Sequence, residues 1–223
     1  MGTVMVPFSF YQNLIFDLDG TLLETITDIC IAMNLALREC GYDYQLDVEQ
    51  TKTLIGDGAD KAVERALLIH HEDLQGFSAL KAAYMPQYRA HQNDHAKPFD
   101  GMKEALEKLK AQGKHLFVVT NKPDALAQVV VKSHFGEDLF DDIIGAFEGK
   151  KVKPDPWQIE LLAEKYHIDL NKTVFIGDSI TDIDTADNAH LPCALALWGY
   201  GVYIDSTLAR ASYLLSKPLE LLQ

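Results

Sequence analysis

Seven polar side chains stand just past the ends of apolar runs in this 223-residue sequence. Asp17 and Asp19 follow Leu14-Ile15-Phe16, and Thr120 and Asn121 close the run at 115–120. Lys153 lies shortly past the run at 142–147, and Asp178 and Asp182 follow the run at 173–178. In open α/β sheets, ligands bind outside the carboxyl ends of the strands. If these runs are adjacent parallel strands, all seven groups meet at one edge. Taken singly, each Asp, Asn or Thr only ends its strand. Four such endings in succession, with a lysine between them, argue for a site. Carboxylates gathered within a few ångströms raise one another's pKa and need a cation to stay ionised. Oxygen donors suit Mg²⁺, which keeps some waters and also takes substrate phosphate. Lys153 adds a second positive charge, while Thr120 and backbone amides donate hydrogen bonds. That chemistry handles a phosphoryl group.

The elements that must position these groups are legible from patterning. Short apolar runs bounded by turn residues predict buried parallel strands at 14–16, 115–120, 142–147, 173–178 and 193–198, with a weaker sixth at 213–215. Amphipathic helical patterns separate the later runs. Asp100 is placed to cap a helix running to Gly113, and Pro123 and Pro156 suit first helical turns. Strand alternating with helix predicts the α/β class: a Rossmann-like, doubly wound parallel sheet covered on both faces. One stretch breaks the rhythm, since nothing between residues 24 and 96 reads as a strand. Ile26, Ile29, Cys30, Met33 and Leu37 recur at helical spacing, with Gly41 placed to end that helix. Further helices fit 47–54, 59–68 and 73–91. The expectation is a core of residues 1–23 and 97–223 interrupted by a helical cap at 24–96.

Composition narrows the partners. Lys and Arg number 20 against 33 Asp and Glu, a formal net charge of −13. That balance argues against a nucleic-acid or anionic-membrane surface. No apolar stretch reaches the ~18 residues that span a bilayer. The first thirteen residues lack the basic start and cleavage-like end of a signal peptide, so a cytoplasmic protein is expected. The three cysteines, Cys30, Cys40 and Cys193, show no ligand spacing and read as free thiols. The partner expected is a small phosphorylated metabolite, bound by a monomer or small homo-oligomer.

Four motifs carry a resemblance: Asp17-Leu18-Asp19-Gly20-Thr21-Leu22, Thr120-Asn121-Lys122-Pro123, Lys153-Pro154-Asp155-Pro156, and Gly177-Asp178-Ser179-Ile180-Thr181-Asp182. In order, spacing and strand context they resemble the haloacid dehalogenase superfamily. The resemblance implies that Asp17 attacks phosphorus and becomes an aspartyl phosphate. Asp19 would protonate the leaving oxygen and then activate water. Thr120 would hold the phosphoryl group with support from Asn121, and Lys153 would balance charge. Mg²⁺ would be held by the Asp17 carboxylate, the Asp19 backbone carbonyl and Asp178, with Asp182 binding it through water or orienting Lys153.

The insertion resembles the helical cap of the phosphoglycolate phosphatase branch, as do Ile55-Gly56-Asp57-Gly58-Ala59-Asp60 and the helix that follows. Gly56, Gly58 and Ala59 are then candidate substrate-binding residues, together with Lys122. The glycines would let backbone amides approach a substrate, or would simply shape a helix–helix turn. The substrate carboxylate of phosphoglycolate would take the Gly58 or Ala59 amide. Arg65 is a second candidate, or pairs with an acid of the cap. His70-His71-Glu72-Asp73 reads as a capped turn, His91 and His95 as the exit from the cap, and Trp157 and Trp198 as packing near the site rim. The rival readings are a phosphosugar mutase, a pyrophosphatase or nucleotidase of the same fold, and a binding protein without catalysis.

Overall fold

The computed structural model describes residues 7–69 and 73–223. His70, His71 and Glu72 of the expected capped turn lie outside the described residues. Asp73, at its edge, accepts a bond from the Gln75 amide at 3.0 Å.

Six strands form a parallel sheet in the order β5-β4-β1-β6-β7-β8. They are β1 (Asn13–Phe16), β4 (His115–Pro123), β5 (Asp142–Ala146), β6 (Thr173–Gly177), β7 (Cys193–Ala196) and β8 (Tyr213–Leu215). Leu14, Ile15 and Phe16 are fully buried, as a central strand covered on both faces requires. Helices α5 (Met102–Ala111), α6 (Asp124–Phe135), α7 (Trp157–Tyr166), α8 (Ile180–Asn188) and the short α9 (Asp205–Leu208) follow the strands. Two apolar layers result, one around Leu14, Phe16 and Val118, the other around Ile15, Phe117 and Phe175.

A second body has its own core. It comprises α1 (Ile26–Glu39), α2 (Val48–Lys52), α3 (Ala59–Leu68) and α4 (Phe77–His91), packed through Met33, Leu37, Val63, Leu67 and Tyr84. α2 starts on a full capping box, with Asp47 and Gln50 satisfying each other's backbone amides. The body joins the sheet through two adjacent chain segments that pair as an antiparallel ribbon, β2 (Leu23–Glu24) with β3 (Lys97–Pro98). Asp28, fully buried in α1, staples the second segment: its carboxylate accepts from the His95 and Ala96 amides at 2.9 Å each and lies 2.8 Å from His95 Nδ1.

Several sequence expectations shift. α5 is preceded by Gly101 in the left-handed region, φ 81°, so Asp100 does not cap it. Pro123 and Pro156 stand at the N-cap positions of α6 and α7, just outside the first turn. α4 begins at Phe77, because residues 73–76 are spent on turns.

Candidate active site

Register explains why distant residues meet. β1 pairs with β6 so that Phe16 stands beside Ile176, and with β4 so that Phe16 stands beside Val118. Asp17 therefore leaves the sheet level with Gly177 and Val119, one residue short of Asp178 and Thr120 on the flanking strands. Asp182 comes from the first turn of α8, whose N-cap Ser179 and Asp182 form a capping box. Gly177 makes room for this turn, since a Cβ there would lie 2.2 Å from the Asp182 carboxyl carbon.

Asp17, Asp178 and Asp182 offer carboxylate oxygens within 4.8 Å of one another, and all three are buried. Lys153 Nζ lies 2.8 Å from Asp17 Oδ1 and 2.7 Å from Asp182 Oδ1. Burial would depress this ammonium, but the two carboxylates outweigh burial and hold it charged. Asp182 Oδ2 accepts from the Asp178 and Ser179 amides and the Ser179 hydroxyl, at 3.1, 3.0 and 2.7 Å. Asp182 is thus committed on both oxygens. Asp178 accepts from Thr21 Oγ1 at 2.9 Å and the Tyr200 amide at 2.7 Å.

One ammonium cannot neutralise three buried carboxylates. Burial, the nearby Asp182 charge and the opposing pull of Lys153 leave the Asp17 carboxyl raised to about 6. Burial and the charges of Asp182 and Asp17 push Asp178 up to about 8. Asp17 Oδ1 also accepts no well-directed hydrogen bond, its close neighbour being the ammonium. A cluster of hard oxygens short of positive charge fits a divalent cation.

The remaining candidates surround a cavity of about 880 Å³. Asp17, Asp19, Thr120, Lys122 and Asp178 line it from the sheet side; Gly56, Gly58 and Ala59 line it from the helical body. Lys153 and Asp182 sit behind that wall. Asp19 stands outside the carboxylate trio, and its Oδ1 is 3.3 Å from Lys122 Nζ. Thr120 Oγ1 accepts from the Lys122 amide at 3.3 Å, while Gln158 holds the Thr120 carbonyl at 3.1 Å.

Asn121 is a tie. Its amide donates to Gly56 O at 2.9 Å and Lys153 O at 3.0 Å, and its oxygen accepts from the Lys153 amide at 2.7 Å. A second link joins the two bodies, because Thr181 Oγ1 donates to Asp57 Oδ1 at 2.9 Å. Arg65, the alternative carboxylate ligand, is occupied by Asp57 Oδ2 and by the Leu54 carbonyl. Neither tryptophan lines the cavity. Trp157 packs on Phe147, and Trp198 donates to Thr21 O and packs against Phe99. Sequence reasoning passed over Thr21, Thr181, Tyr200, Tyr84 and Tyr88. The last two lie one helical turn apart in α4, which was the only available signal.

The sequence pattern of the haloacid dehalogenase-like hydrolases matches residues 14–196, most of the chain. The chain belongs to that family. Within it, the chain is 34% identical over 200 residues to a phosphoglycolate phosphatase of Aliivibrio fischeri, spanning 86% of this chain and 87% of that one. It is 30% identical over 213 residues to a phosphoglycolate phosphatase of Xanthomonas campestris, spanning 95% of each. A crystal structure described as a predicted phosphoglycolate phosphatase from Haemophilus somnus superposes with a TM-score of 0.87 at 27% identity, covering 96% of this chain and 97% of that one. This haloacid dehalogenase-like hydrolase is a phosphatase, a phosphoric monoester hydrolase. Among its described residues, no helix is long and apolar enough to cross a membrane.

Proposed function

We propose that the protein hydrolyses a small phosphorylated metabolite, with phosphoglycolate as the substrate, through an aspartyl-phosphate intermediate on Asp17. The observation that carries this reading is Lys153 bridging Asp17 and Asp182 inside the buried carboxylate cluster. The ammonium holds Asp17 against rotation and favours its ionised, nucleophilic form. An Asp17 oxygen bonds to phosphorus as the ester oxygen leaves, and that oxygen takes its proton from Asp19. Asp19, now ionised, removes a proton from the water that attacks the acyl phosphate, releasing inorganic phosphate and restoring Asp17. Thr120 donates its hydroxyl to the phosphoryl oxygens, and Asn121 keeps Lys153 and the cap loop in place.

Mg²⁺ would be held by Asp17, Asp178 and the Asp19 carbonyl, where it would neutralise phosphoryl oxygens. Asp182 serves here as the orienter of Lys153, since both its oxygens are taken by protein donors. The helical body at 24–96 acts as a cap, bringing Gly56, Gly58 and Ala59 over the substrate. The names of the relatives in Aliivibrio fischeri and Xanthomonas campestris support the choice of phosphoglycolate.

The test is release of inorganic phosphate from phosphoglycolate and from an aryl phosphate, with Mg²⁺, with chelator, and in Asp17→Asn. Release should need Mg²⁺ and fall at least about a thousandfold in the variant, in keeping with loss of a covalent nucleophile. Turnover that survives in Asp17→Asn would refute the mechanism. A mutase would release little phosphate and call for a bisphosphate primer.

A further inference from the structure

Lys122 is a buried cation on the acid side of the site. Its ammonium donates to Asp19 Oδ1 at 3.3 Å and to the hydroxyl of Tyr88, which comes down from α4. An ammonium has three N–H donors and no acceptor. Two are accounted for, and among the described residues no acceptor takes the third. The same inventory applies to Tyr88. Its oxygen accepts from Lys122, so its own proton must go elsewhere, and no described residue accepts it. Burial, reinforced by the charge of Asp19, keeps this phenol protonated. Tyr84 stacks on Tyr88 with ring centroids 5.2 Å apart and fixes the orientation of that ring. Both tyrosines and Lys122 line the cavity.

The pair therefore presents two uncommitted hydrogen-bond donors, one of them cationic, beside Asp19. On the proposed mechanism Asp19 marks where the ester oxygen of the substrate sits. Lys122 Nζ is 3.3 Å from Asp19 Oδ1, so an anion bound there must be attached close to that ester oxygen.

We infer that Lys122 and Tyr88 form the receptor for a carboxylate on the carbon next to the ester oxygen. Tyr88 is then a specificity-determining residue supplied by the helical body. The substrate class is the phosphate ester of a 2-hydroxy acid, of which phosphoglycolate is the smallest. This rests on the phosphatase reading and deepens it by naming what is recognised beyond the phosphate. The carboxylate is thereby placed on Lys122 and Tyr88 instead of on the Gly58 or Ala59 amide.

The experiment compares phosphoglycolate with ethyl phosphate, which keeps the two-carbon length and lacks the carboxylate. Steady-state constants are measured for the Mg²⁺-loaded wild type, Tyr88→Phe and Lys122→Gln, with an aryl phosphate alongside. Tyr88→Phe keeps the ring stack, and one lost bond to a charged group is worth roughly tenfold. The preference for phosphoglycolate over ethyl phosphate should fall by about that factor, chiefly through KM. Lys122→Gln should lower the preference further. A Tyr88→Phe enzyme with the wild-type preference would overturn the inference and leave the phosphatase mechanism standing. So would a wild type that cleaves both alkyl esters alike. Failure of the wild type on every ester, the aryl phosphate included, would instead bring down the proposed mechanism and the inference with it.

Discussion

Replacing Asp178 by asparagine should make the metal-free protein more stable, even though it removes a proposed cation ligand. Asp178 is buried against two other carboxylates, and its carboxyl is pushed from an ordinary value of 3.8 up to about 8. The folded state therefore holds a proton that the unfolded chain releases near pH 4. A raised folded value means stability that is fully present below the unfolded pKa and is lost as pH climbs toward the folded one. At about 1.4 kcal/mol per pH unit, the interval from 3.8 to pH 7 corresponds to on the order of 4 kcal/mol for an isolated group. Asp17 is raised beside it and the two titrate together, so roughly half, about 2 kcal/mol, is the magnitude to expect. Asparagine fits the same space. Its oxygen can accept the Tyr200 amide, now bonded at 2.7 Å, and its amide can donate to Thr21 Oγ1, now 2.9 Å away. For a domain of this size, ~2 kcal/mol raises Tm by about 4–8 °C. The assay is thermal melting in chelator from pH 4 to pH 9. The advantage of Asp178→Asn should be absent near pH 4, grow through neutrality and level off above pH 8. Mg²⁺ at a hundredfold excess over its Kd should then stabilise wild type by ~2.7 kcal/mol and the variant far less. A variant that melts at or below wild type in chelator at pH 8 would refute the electrostatic reasoning.

Two further substitutions probe the ties between the bodies. Asn121→Ala deletes the bonds to Gly56 and Lys153 and should cut kcat/KM about ten- to a hundredfold through misplaced Lys153; an unchanged value in phosphate-release kinetics would rule the tie out. Asp28→Asn leaves one of the His95 or Ala96 amides facing a donor, at a cost of about 1–3 kcal/mol. Its Tm should drop by several degrees, and an unaltered melt would mean that the staple contributes nothing.

The parts of the molecule with a strong local signal are legible in the sequence. Leu14-Ile15-Phe16, the run at 115–120 and the run at 173–178 are largely apolar stretches, and each holds a central strand, the last ending at Gly177. Ala59–Leu68 was found to the residue because its apolar positions hold helical spacing after a glycine turn. The ribbon of Leu23–Glu24 with Lys97–Pro98 escaped, since two residues carry no period. The Asp100 cap failed because Gly101 reached a left-handed turn instead. At the site, the motif residues were legible from their places at strand ends. Tyr88 and Tyr84 were not, because an aromatic at helical spacing looks the same whether it fills a core or reaches a ligand. Only the packing of α4 over Lys122 distinguishes the two.

Tyr200 connects matters that the strand-end pattern keeps separate. Its amide bonds Asp178, while its phenol oxygen accepts from the Thr25 and Ile26 amides, at 2.7 and 3.2 Å, where α1 begins. The neighbouring Gly201 leaves no slack, for a Cβ there would fall 1.9 Å from the Asp178 carbonyl oxygen. A nudge to that aspartate is accordingly transmitted through one short loop to the root of the first helix. A cation held by Asp178 would thus be tied through Tyr200 to the start of α1, and a lesion in that loop should disturb both together.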